Sequence, residues 1–112
     1  MEIDTELTDN GTLVVVLNGR MSLTDLQDLE ETLKSFVRPK HKIIFDLSGL
    51  EFIFSMGLRS LIICAQTAQL RGGKLVLVSS RPTISNVLKA GGISKLIPLY
   101  NNLDAAEAGL AS

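Results

Sequence analysis

The stretch Lys42-Ile43-Ile44-Phe45-Asp46-Leu47-Ser48-Gly49-Leu50-Glu51-Phe52-Ile53-Phe54-Ser55-Met56-Gly57-Leu58 decides how this chain folds. Its apolar opening, Ile43 to Phe45, ends at Asp46-Leu47-Ser48-Gly49 and resumes as Leu50 to Phe54. From Leu58 the apolar positions change period: Leu58, Leu61, Ile62, Ala65 and Ala68 fall three and four apart, the spacing of one helix face. A short β-rich run followed at once by an amphipathic helix predicts a strand feeding a helix through a tight connection. Ser55 stands where that helix begins, so its hydroxyl is placed to cap backbone N–H groups that lack intrahelical partners. The same place suits a phosphate, because a helix N-terminus offers free N–H donors and the positive end of the dipole.

Working outward, 112 residues predict a single domain over 1–112, long enough to bury one core without staples. The apolar fraction of 46% and the mean hydropathy of +0.29 describe a well-buried α/β domain. The net charge of −1, with both signs interspersed, leaves no electrostatic footprint for nucleic acid or an anionic membrane. No apolar run approaches the ~20 residues that span a bilayer, and Met1-Glu2-Ile3-Asp4 does not read as a signal peptide. Cys64 is the only cysteine, which with those two readings predicts a cytoplasmic protein.

Upstream, Glu2 to Thr8 alternates: Ile3, Thr5 and Leu7 on one face, Glu2, Asp4, Glu6 and Thr8 on the other. That predicts a half-buried strand. Asp9-Asn10-Gly11 is a turn signal, and Thr12 to Leu17 predicts a strand covered on both faces. After Asn18-Gly19-Arg20-Met21-Ser22, the stripe Leu23, Leu26, Leu29, Leu33, Phe36 and Val37 predicts a helix capped by Ser22 or Thr24 and ended at Arg38-Pro39. With Lys42–Asp46 as the next strand, this is a βαβ unit. Downstream, the helix over about 55–70 stops at Arg71-Gly72-Gly73. A strand Lys74–Val78 follows, then a helix led by Pro82 through Lys89 and closed by Gly91-Gly92. An edge strand Ile97–Tyr100 containing Pro98 comes next, and a last helix, Leu103–Leu110, is capped by Asn102. The expected order is ββαβαβαβα: an α/β fold, mostly parallel, with an N-terminal antiparallel hairpin.

Ligands and partners of parallel α/β sheets bind where strands run out into helices, here Asn18–Thr24, Asp46–Gly57 and Ser79–Thr83. Enzymatic constellations are missing. His41 is the only histidine and starts a strand at the opposite end; Cys64 has no second cysteine and reads as a small core residue. No glycine-rich loop precedes a helix. Asp46 lacks the companion acids that a magnesium-dependent phosphoacceptor needs, since Asn18-Gly19-Arg20 follows the first parallel strand. The expectation is no catalysis, no cofactor and no metal.

The run Asp46 to Leu58 resembles the signature of the STAS domain, the anti-sigma factor antagonist family: a strand ending in Asp-Leu, an aromatic-aliphatic step, then Asp-Ser-Ser/Thr-Gly-Leu opening a helix. The likeness extends to the opening hairpin, the corner Gly19-Arg20-Met21-Ser22, the Gly72 to Leu75 entry and the Pro-led third helix. It implies a small layered STAS fold and a partner-switching regulator that is not an enzyme. In such a regulator a serine at Ser55 is phosphorylated by an anti-sigma factor with serine-kinase activity, and a phosphatase resets the switch. The residues carried over to the partner-facing surface are Ser22, Thr24, Phe54, Ser55, Met56, Gly57 and Arg59. Phe54 and Ser22 depart from the family pattern, which has aspartates at both places. Phe54 stands as an exposed anchor or as core; Arg59 pairs with a phosphate, with a partner's acid, or is a solvated charge. A monomer or weak dimer is expected. The other reading of the family is a non-phosphorylated STAS subunit or scaffold of a lipid-transport or membrane-transport assembly, with Ser55 a cap only.

Overall fold

Ile43, Ile44 and Phe45 have no exposure at all, which places their strand in the middle of a sheet covered on both faces. The computed structural model describes residues 1–111. In chain order the elements are β1 (Glu2–Leu7), β2 (Leu13–Arg20), α1 (Leu23–Val37), β3 (Lys42–Asp46), β4 (Leu50–Phe52), α2 (Ser55–Leu70), β5 (Lys74–Val78), α3 (Pro82–Ala90), α4 (Ile93–Leu96), β6 (Leu99–Tyr100) and α5 (Leu103–Ala111). The strands lie in the order β1-β2-β3-β5-β6, with β4 added to β2. Only β1 is antiparallel to its neighbour.

Each crossover moves the chain one place along the sheet in the same direction, so α1, α2 and α3 share one face. The alternation along the strands matches: Leu13, Val15, Leu17, Ile43, Phe45, Leu75 and Leu77 pack with Leu29, Leu33, Leu61, Cys64, Ala68 and Leu88. The intervening Val14, Ile44, Val76 and Val78 pack with Ala106 and Leu110 of α5 on the other face. The start of α5 and the end of α2 are fixed by their predicted residues. Asn102 Oδ1 accepts from Ala105 N at 2.8 Å. At the end of α2, Gly73 N donates to Ala68 O at 2.8 Å and Gly72 N to Gln69 O at 3.0 Å, with Gly72 at φ +78°, the paired bonds of a Schellman ending.

The expected order is thus found, with additions and one correction. The additions are β4 and the single turn α4. The correction concerns β1, which is exposed along most of its length, Leu7 included at 58%; only Ile3 is half-buried. No helix crosses outside it at this sheet edge, so its alternation has one face turned toward α1 and no layer to bury it. No helix among the described residues is long and apolar enough to cross a membrane.

The parallel strands β2, β3 and β5 deliver their C-terminal ends to one rim, where backbone bonds tie the connections together. Gly19 N donates to Gly49 O at 2.9 Å, Met21 N to Phe52 O at 3.3 Å, and Leu47 N to Val78 O at 2.7 Å. Ser80 N donates to Ser48 Oγ at 3.3 Å. The Asp46 carboxylate accepts from Ser48 N at 3.0 Å, so it braces its own turn.

Candidate functional site

Two of the helix N-termini at this rim, those of α1 and α2, have caps that differ. At α1 the capping residue is Ser22, in extended backbone (φ −106°, ψ 167°). Its Oγ accepts from Asp25 N at 3.2 Å, while Asp25 Oδ2 accepts from Ser22 N at 2.7 Å and from Ser22 Oγ at 2.9 Å. This is a complete capping box. The Ser22 backbone bond, followed by the Ser22 hydroxyl, holds the Asp25 carboxyl below the usual carboxylate range. Ser22 is exposed but occupied. Thr24, the second residue of α1, is exposed too and does not cap.

At α2 the expected cap is overturned. The capping position belongs to Phe54 (φ −80°, ψ 159°), which has no side-chain hydrogen bond to give, and Ser55 is the first helical residue. The shift by one residue follows from the backbone: Leu58 N donates to Phe54 O at 3.1 Å, so the first helical bond closes on Phe54. A serine at the first helical position points away from the amides that a capping serine reaches. The Ser55 side chain is therefore exposed and engaged in no hydrogen bond among the described residues.

What surrounds Ser55 is apolar and cationic. Met56, the next residue, is 60% exposed; Leu23, at the start of α1 on the same rim, is 69% exposed. Arg59 is exposed one turn further along α2. Phe54 takes neither of its two expected places: it is half-buried, packed against the margin of the core, and meets Phe52 edge-on at 4.7 Å with the rings 89° apart. The Arg20 guanidinium lies over the other ring at 4.6 Å from the Phe52 centroid. Arg20, Phe52 and Phe54 thus form one stack from the end of β2 to the cap of α2. Gly57 is buried beneath Ser55, where an added Cβ would stand 2.7 Å from the Met21 sulfur and 3.0 Å from Ile53 Cγ1.

The structure places the seven carried-over positions on one rim. Ser22, Thr24, Ser55, Met56 and Arg59 are exposed, Phe54 is half-exposed and Gly57 lies beneath. Sequence reasoning missed Arg20, Phe52 and Leu23. The first two meet only because β2 and β4 pair with Arg20 opposite Phe52. Leu23 belongs to the apolar stripe in sequence but lies beyond the core at the outer end of α1, 69% exposed.

The chemistry available is that of an accessible hydroxyl with no base beside it. His41 is exposed at the start of β3, the other end of that strand. Burial pushes the Cys64 thiol up to about 12, which leaves it an inert core residue. No group of three or more His, Cys, Asp or Glu among the described residues is placed to hold a metal ion. The exposed Met56 beside this hydroxyl gives the start of α2 an apolar element of the kind found at protein surfaces that meet other proteins.

The model of the STAS domain family matches residues 3–106. BtrV of Bordetella bronchiseptica, which carries the name of an anti-sigma factor antagonist, is 29% identical over 100 residues, covering 88% of this chain and 86% of that protein. An anti-sigma factor antagonist from Mycobacterium paratuberculosis, known from its crystal structure, is 26% identical with a TM-score of 0.84, covering 99% of this chain and 96% of the other. SpoIIAA shares the fold at 16% identity. Its unphosphorylated form gives a TM-score of 0.77 over 99% of this chain and 98% of that one. The phosphorylated form, from Bacillus, gives 0.71 over 96% and 99%.

Proposed function

The chain belongs to the STAS domain family, and from that premise we propose that it is an anti-sigma factor antagonist switched by phosphorylation of Ser55. In this reading the unphosphorylated protein binds an anti-sigma factor of the serine-kinase type, and a sigma factor is released. The kinase then phosphorylates Ser55 and the complex parts; a phosphatase restores the free hydroxyl. The protein works in the cytoplasm as a binding module with no catalytic step of its own.

One observation carries the reading: Ser55 is exposed at the first position of α2 and does no capping. A serine kept only as a cap would be hydrogen-bonded to the second or third amide of the helix, as Ser22 is. The names of the relatives point the same way, as does a fold neighbour solved in both phosphorylation states. The chemistry asks little of this chain. Ser55 Oγ attacks the terminal phosphorus of ATP held by the kinase, ADP leaves, and a base of the kinase takes the hydroxyl proton. Phosphate adds about −1.5 to −2 charges at neutral pH. At a helix N-terminus that charge is favoured, whereas in a closed apolar interface an unpaired charge costs several kcal/mol. The fold therefore tolerates what the complex does not.

Incubation with the cognate anti-sigma factor kinase and magnesium-ATP tests the assignment by intact mass. The wild type should gain a single phosphate and Ser55→Ala none. A phosphate acquired equally by Ser55→Ala overturns Ser55 as the acceptor.

A further inference from the structure

Arg59 is an exposed cation with acids nearby. It lines a shallow groove of about 240 Å³ between α1 and α2, together with Leu26, Glu30, Glu31 and Met56. Both glutamates are committed elsewhere. Lys34 Nζ lies 3.0 Å from Glu31 Oε1 and 3.4 Å from Glu30 Oε2, and Arg38 Nη2 lies 3.5 Å from Glu31 Oε2. Lys34, followed by Arg38, holds the Glu31 carboxyl below its ordinary range. Arg59 makes no ion pair or hydrogen bond among the described residues. It stands four residues after Ser55 on the same helix, and both side chains are exposed.

Residues four apart on a helix are neighbours, about 5–6 Å between Cβ atoms, and an acid preceding a base in this spacing is the favourable order. A phosphate on Ser55 would be such an acid, with the reach of an arginine fork matched to its oxygens. We propose that Arg59 is the internal counter-ion of the Ser55 phosphate. This rests on the reading of Ser55 as the phosphoacceptor. Its consequence is that phosphorylation alters the rim twice, adding the phosphate's charge and withdrawing the nearest exposed cation of α2 from any acid of the partner. Glu30 and Glu31 across the groove oppose the phosphate but are screened by Lys34 and Arg38. The amides of the first turn of α2, which no side chain caps, draw the phosphate inward and act whether or not Arg59 is present.

The test installs phosphoserine at position 55 during translation, so no kinase is needed, and follows the phosphorus resonance through pH in wild type, Arg59→Gln and Arg59→Lys. The second pKa of the phosphate should be lower in the wild type than in Arg59→Gln by about 0.3 unit at low salt. The gap should narrow in 1 M salt, and Arg59→Lys should keep most of it. Equal values in wild type and Arg59→Gln, both folded by circular dichroism, overturn the proposal. Because the phosphate is built in, failure here indicts Arg59 alone, and failure of Ser55 as acceptor shows only in the kinase reaction.

Discussion

Ser55→Asp is expected to weaken binding of the kinase-type partner at least about a hundredfold, the effect of ~2.7 kcal/mol, while the melting temperature stays nearly unchanged. A carboxylate at the first position of α2 lies in the favourable field of the helix N-terminus, so the free protein accepts it. In the complex the same charge would lie between Phe54 and Met56, its apolar chain neighbours, which cannot solvate it. Ser55→Ala separates charge from hydroxyl. Its stability should fall within ~0.5 kcal/mol of the wild type, as for a surface change away from special features. Ser22→Ala breaks a capping box and should cost about 1 kcal/mol. Titration calorimetry and thermal melts of the three variants check these outcomes. Ser55→Asp binding as well as wild type, or Ser55→Ala losing as much stability as Ser22→Ala, would contradict the placement of Ser55.

Gly57→Val is expected to destabilise the domain by about 2–3 kcal/mol, a fall in Tm of about 10 °C for a domain of this size. The first added carbon alone would press 2.7 Å from the Met21 sulfur and 2.9 Å from its methyl carbon. Met21 is 2% exposed and Ile53 7%, so neither has open space to move into, and a valine adds two further methyl groups. Relief requires α2 to lift at its N-terminus, the part that presents Ser55, so partner binding should weaken as well. Met21→Ala creates the missing space. The double variant Met21→Ala/Gly57→Val should therefore be less destabilised than the sum of the single ones, by about 1 kcal/mol. Strict additivity would place the valine somewhere other than against Met21.

Much of the fold is legible in the sequence. Buried apolar runs at Thr12–Leu17, Lys42–Asp46 and Lys74–Val78, each separated by a helical stripe, left few arrangements besides adjacent parallel strands. The glycine and asparagine caps were legible because their chemistry is local. What was not legible depended on partners distant in sequence. Leu50-Glu51-Phe52 becomes β4 only because the end of β2 is free to pair with it, and three residues have no periodicity to read. The single turn α4 is equally short, held by Gly92 at φ +77°. The burial expected for β1 failed because alternation records which face is apolar, not whether a layer covers it.

At the site the helix start lies one residue from the expected cap, and of the two roles that the sequence offers Ser55, capping is the one that the backbone removes. Ser55 appears beside the N-terminus of α2 in either reading, and a displacement of one position separates a bonded cap from an open hydroxyl. Sequence favours the cap because serine is common there; the backbone gives the position to Phe54. That substitution is in turn explained by Arg20 and Phe52, whose stack seats the Phe54 ring. A side chain that holds its ring against the core surrenders the hydrogen bond that an aspartate or serine would have made to the helix.

The central claim, that this chain antagonises an anti-sigma factor, meets its most direct test in a displacement experiment. A complex of the anti-sigma factor kinase with its sigma factor is mixed with the unphosphorylated chain and separated by gel filtration. Free sigma factor should appear in proportion to the chain added, and Ser55→Asp at the same concentration should release none. Sigma factor that stays bound in the presence of excess unphosphorylated chain would contradict it.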